Sequence, residues 1–91
     1  MSEPQLTFAA FVISLASSAA IQFGDLPDPS GDKVEPNLDG AAQMIEILSL
    51  LEQKTRGNLT DEERELLEQV LYELRMRFVQ AKAGEKRIIE P

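Results

Sequence analysis

Apolar residues recur at helical spacing in three stretches of this chain, and a proline- and acid-rich stretch parts the first from the second. Residues 6–23 include no charge at all. At about 100° per residue, Phe8, Phe11, Val12, Leu15, Ala19 and Phe23 gather on one face of a helix. The other side carries Leu6, Ala9, Ala10, Ile13, Ala16, Ser17, Ala20 and Ile21, which are small or apolar. A helix that avoids water all round is normally buried all round, and two further helices cannot easily enclose it. The pattern predicts a first helix over about 6–23 whose second face needs a cover.

Composition changes abruptly at 24–37, where three prolines and two glycines deny a regular helix. This stretch reads as an exposed loop, with Gly24 ending the first helix in a left-handed C′ position. The second helix is expected over about 38–56, with Asn37 as its N-cap. Its seam is Ala41, Met44, Leu48, Leu51 and Thr55, widened by Ile45 and Ile47, while Leu50 points toward solvent.

Gly57 breaks that pattern. Thr60 and Glu63 then stand at capping-box spacing, and Asp61, Glu62 and Glu63 place negative charge where a helix dipole favours it. A third helix follows over about 61–83, with Leu67, Leu71, Leu74, Phe78 and Ala81 on one seam and Leu66 and Val70 beside it. Tyr72, Met76 and Val79 form a smaller stripe on the far side. The connection is so short that helices two and three are expected to be antiparallel neighbours. The charged tail 84–91, interrupted by Ile88 and Ile89, is expected to fray.

Ninety-one residues make one domain, 1–91, and a chain of this size buries only about 60–65% of its unfolded surface. Nine basic residues against sixteen acidic ones give a net charge of −7. Such a balance repels phosphate backbones, and no basic stripe offsets it, so a nucleic-acid partner is not expected. There is no cysteine, histidine or tryptophan. Disulfides, thiolate nucleophiles and the commonest metal ligand are therefore absent. Catalysis needs a base or nucleophile beside a pocket, and no acid falls on an apolar seam. No enzyme activity, no cofactor and no metal are expected.

Several features admit a sharper reading and a plainer one. The uncharged first segment approaches membrane-spanning length, yet serines, Thr7 and Gln22 dilute it and its flanks, Glu3, Asp25 and Asp28, are acidic. Basic flanks would favour insertion or export, so a membrane is not expected and a cytoplasmic location is. The loop acids Asp25, Asp28, Asp32 and Glu35 suggest calcium, but counting from Asp28 puts Lys33 where an EF-hand needs glycine and Asp39 where it needs glutamate. Lys54, Arg56, Gly57 and Asn58 precede a helix N-terminus that would suit an anion, except that three carboxylates already crowd it. The two cations better complement the end of the second helix. Asn58-Leu59-Thr60 matches a glycosylation acceptor, and helix capping accounts for the same residues. Arg75 and Arg77 are expected to pair with Glu46 or Glu52 on the second helix, or with Glu68 or Glu73 on their own.

Two stretches are distinctive in wording as well as pattern: Lys54 through Glu63, reading KTRGNLTDEE, and Leu71 through Val79, reading LYELRMRFV. With Phe8–Ala16 and Ala42–Leu51, they resemble a bacterial domain-of-unknown-function family, number 1844. The resemblance covers most of the chain outside the proline loop and the tail. It implies a small bacterial helical protein and brings no reaction, ligand or catalytic residue with it.

The expectation is thus an all-α protein, a helical hairpin with the apolar first helix packed on it. A monomer would expose more apolar surface than soluble proteins usually do. A homo-oligomer follows, most simply a dimer, with Phe8, Phe11, Val12, Leu15, Ala16, Ala19, Tyr72, Met76 and Val79 at its interface. Functionally this is a non-enzymatic module that binds another protein. The alternatives are a carrier of a small apolar ligand held between the first helix and the hairpin, and a protein attached to membranes by that helix.

Overall fold

A computed structural model describes residues 6–28, 30–31 and 35–84 in full and the helical backbone of 85–87. Three helices pack together: α1 (Phe8–Phe23), α2 (Leu38–Lys54) and α3 (Asp61–Arg87), and no strand occurs among the described residues. Each helix touches both others.

Caps fix the boundaries. Thr7 accepts the Ala10 N–H at 3.0 Å, which starts α1 at Phe8 rather than at Leu6. At its other end Gly24 adopts φ 84°; its N–H donates to the Ile21 carbonyl, and the Asp25 N–H donates to Ala20 at 2.8 Å. These two bonds form a Schellman motif, and only glycine enters its left-handed position without strain. Asn37 accepts the Gly40 N–H at 3.1 Å and opens α2 as expected.

Helix α2 stops at Lys54, two residues before the expected end, with Thr55 as its C-cap and Gly57 beyond it in the left-handed region at φ 88°. Thr60 and Glu63 form the reciprocal capping box: the Glu63 carboxylate accepts the Thr60 N–H at 2.9 Å, and the Thr60 hydroxyl accepts the Glu63 N–H at 3.1 Å. Helix α3 runs four residues past the expected end at Ala83. A lone glycine among good helix formers is tolerated, and Gly84 does not break the helix. The expected fraying of Ile88 to Pro91 lies outside the described residues.

The core has two parts. Val12, Leu48, Leu67 and Leu71 form one, with all three helices contributing. Ala19, Phe23 and Ala41 form the other, where two alanines let α1 and α2 approach closely and Phe78 and Ala81 of α3 close the side. Ile45 and Leu74 border both. Among the described residues no helix is long and apolar enough to cross a membrane.

Candidate interaction surface

Of the first helix's interface candidates, Val12 and Ala19 are 0% exposed inside the single chain. They are spent on the core and leave the list of surface residues. Phe8, Leu15 and Ala16 are half-buried, and Phe8 and Leu15 pack against the first core cluster. Phe11 reaches the surface because it lies about 100° round the helix from Val12, at the edge of the buried stripe. Helices α2 and α3 cover one side of α1 only, and Ala10, Ile13, Ser14, Ser17 and Ser18 stay exposed. The Ser14 hydroxyl donates to the Phe11 carbonyl at 2.7 Å, so that face is less polar than its composition suggests.

Tyr72, Met76 and Val79 are exposed, at 65%, 44% and 60%. Their helix buries Leu67 and Leu71 on the opposite side. Two grooves run along the junction of α2 and α3. One, of about 300 Å³, is lined by Glu52, Glu68, Leu71, Tyr72, Arg75 and Met76. The other, of about 320 Å³, is lined by Ala42, Ile45, Glu46, Arg75, Phe78 and Val79. Arg75 belongs to both. Leu50 is exposed as expected, but Ile47, expected beside the α2 seam, is 41% exposed because it sits about 100° from the buried Leu48.

The arginines of α3 do not take the expected partners. Arg77 grips Asp25, with Nε and Nη2 at 2.8 and 2.7 Å from the two carboxylate oxygens. Its guanidinium also lies over the Phe23 ring, 5.1 Å from the centroid. The hydrogen bonds from Arg77 hold the Asp25 carboxyl below the usual carboxylate range, and Asp25 in turn raises Arg77. Arg75 donates to the Ser49 hydroxyl at 3.4 Å. Three of the four expected acids are engaged locally: Glu52 by Arg56, Glu68 by Arg64 and Glu73 by Gln69, each four residues away. Neighbours on the same helix are already within reach, so these contacts form without tertiary help.

Sequence reasoning named Asp25 only as a helix flank and a loop acid, and missed its pairing with Arg77. Its one local signal was the expected C′ glycine, since the Schellman turn aims the following side chain back across the helix end.

The remaining candidates bring no chemistry together. Arg56 and Arg64 flank Gly57 and Leu59 around a niche of about 130 Å³, but each guanidinium is bonded to carboxylates. Asp28 caps its own turn by accepting the Ser30 N–H at 2.8 Å, which lowers its pKa. Asp32 and Lys33 of the calcium reading lie outside the described residues. Among the described residues no group of three or more acidic side chains is placed to hold a metal ion.

A family model described as a domain of unknown function, DUF1844, matches residues 5–80. The chain belongs to the DUF1844 family. The match runs through the proline loop, which the resemblance in sequence had left out, and stops within α3. The range that matches the DUF1844 model includes Gly24, Asp25 and Arg77 together with Tyr72, Met76 and Val79. No curated protein and no solved structure matches the chain.

Proposed function

We propose that this DUF1844 protein is a non-enzymatic helical interaction module that works as a homo-oligomer in the cytoplasm. In this reading α2 and α3 form an antiparallel hairpin: Glu52 shares a groove with Glu68 and Tyr72, whereas Ala42 and Glu46 share one with Phe78 and Val79, so the residues meet in reversed order. The observation that carries the proposal is apolar exposure on two separate sides of the chain. Ile13 is 53% exposed on α1, and Tyr72 and Val79 are more so on α3. Apolar surface of this extent on a small domain marks a protein contact. A net charge of −7 argues against nucleic acid and against anionic membranes as the partner.

The rival reading as a carrier draws on the apolar groove beside Phe78 and Val79. That groove is also lined by Glu46 and Arg75, and it lies between α2 and α3 rather than against α1.

Sedimentation equilibrium of the full chain tests the proposal. A dimer or higher oligomer at micromolar concentration supports it, and a folded monomer overturns the oligomeric part. A thermal shift with apolar ligands, absent for a scaffold, would turn the reading toward the carrier.

A further inference from the structure

Resting on the homo-oligomeric reading, we propose that two copies of this chain associate through the outer face of α3. The two helices lie antiparallel with Met76 near the two-fold axis, and Glu65 and Glu68 of each copy lie toward Lys82 of the other.

Three observations point to this surface and this occupant. Tyr72, Met76 and Val79 follow one another at four-three spacing, the period of a helix seam, and their face is turned away from the core. Glu65 and Glu68 lie on or beside this face toward the N-terminus, and Lys82 flanks it toward the C-terminus, all exposed. The stripe is therefore apolar at its centre and oppositely charged at its two ends.

The polarity extends through the whole helix. Residues 61–73 carry six carboxylates and one arginine, and residues 75–87 carry five bases and one acid. The helix dipole favours such an arrangement only within the first and last turns. Here the sign changes between Glu73 and Arg75, in mid-helix and within the apolar stripe. Charges flanking a helix seam set partner and orientation. A parallel pair would set acid against acid and base against base. An antiparallel pair of identical helices matches every end with its opposite, so a second copy meets the requirement at once.

The groove lined by Tyr72, Arg75 and Met76 opens on the stripe and gives the second copy's side chains a place to enter, which builds a four-helix contact from two α2–α3 pairs. The exposed side of α1 around Ile13, Ser14 and Ser17 carries no charge to choose an orientation.

The chain has no cysteine, so single cysteines report geometry directly. In the antiparallel arrangement the two copies of position 68 stand on the order of 20 Å apart along the axis, while 68 and 82 of different copies are neighbours. Disulfides need Cα atoms within about 7 Å. Under mild oxidation, a mixture of Glu68→Cys and Lys82→Cys proteins should give a disulfide-linked heterodimer, and Glu68→Cys alone should not cross-link.

Sedimentation of Met76→Asp and Ile13→Asp, both at exposed positions, completes the test. Met76→Asp should be a helical monomer and Ile13→Asp should remain a dimer. Lys82→Glu should weaken the dimer by about tenfold, and adding Glu68→Lys in the same chain should restore it. Cross-linking of Glu68→Cys with itself, or a dimer lost in Ile13→Asp and kept in Met76→Asp, overturns this interface while the oligomeric reading stands. A monomeric parent protein overturns both.

Discussion

Arg77 and Asp25, fifty-two residues apart, meet through two hydrogen bonds of 2.8 and 2.7 Å, one from Nε and one from Nη2. The paired geometry fits a planar guanidinium edge to a planar carboxylate, which a lysine cannot reproduce. With Phe23 beneath the same guanidinium, one side chain fastens the C-terminal end of α1 to the middle of α3.

The first prediction concerns acid. Asp25 has a folded-state pKa below its ordinary value of 3.8. Its pairing stabilises the fold fully above that ordinary value and stops doing so as the pH falls through the lowered one. Because the Arg77 and Asp25 side chains are 35% and 43% exposed, solvent screening limits the effect to less than about 1 kcal/mol. Urea melts should show Asp25→Asn less stable than the parent at neutral pH and indistinguishable from it in strong acid. Arg77→Lys should also be less stable at neutral pH and should keep part of its deficit in acid, because it loses the guanidinium contact with Phe23 as well. An equal deficit at both pH values would sink this account.

Burial separates two leucines on one helix. Leu48 is fully buried, whereas Leu50 is 54% exposed. Leu48→Ala should destabilise by about 2–5 kcal/mol, a large share of the stability of a domain this small. Leu50→Ala should change it by less than about 0.5 kcal/mol. Chemical denaturation followed by circular dichroism measures both.

Two glycines with similar backbones should respond differently to alanine. Gly24 and Gly57 have φ of 84° and 88°, so each alanine would carry the left-handed penalty of roughly 1–2 kcal/mol. A side chain at Gly24 would also come within 3.0 Å of the Pro36 ring, while nothing lies within 4 Å at Gly57. Gly24→Ala should lower the melting temperature more than Gly57→Ala. It should also be non-additive with Asp25→Asn, because the turn at Gly24 aims Asp25 at Arg77.

At the start of α3, Thr60→Ala should cost about 1 kcal/mol by removing the hydroxyl that accepts the Glu63 N–H. Glu63→Gln keeps an acceptor for the Thr60 N–H and should cost less. A larger loss in Glu63→Gln than in Thr60→Ala would mean that charge at the helix start, rather than the capping box, carries the effect.

Caps were legible because they are chemistry among residues three or four apart. Asn37, Gly24 and the Thr60–Glu63 box stand where sequence spacing puts them. The Tyr72, Met76 and Val79 stripe was legible for a similar reason: once Leu67 and Leu71 face inward, residues on the far side of the same helix must face out. Ile47 was not, and Phe11 was placed both on the buried stripe and at the interface. Both lie at the margin of an apolar stripe, where a small change in how helices cross decides between core and surface.

The sequence by itself determined that this is a three-helix chain of the DUF1844 family, the caps at Gly24, Asn37 and Thr60–Glu63, and the inward seam of Leu48, Leu67 and Leu71. Those features rest on helical period and on hydrogen bonds between near neighbours, which operate before any tertiary contact exists. Tertiary structure alone decided that Val12 and Ala19 lie inside a single copy, that Ile47 reaches the surface, and that Arg77 closes on Asp25. Each depends on the relative placement of helices distant in sequence, and spacing along one helix carries no information about that placement.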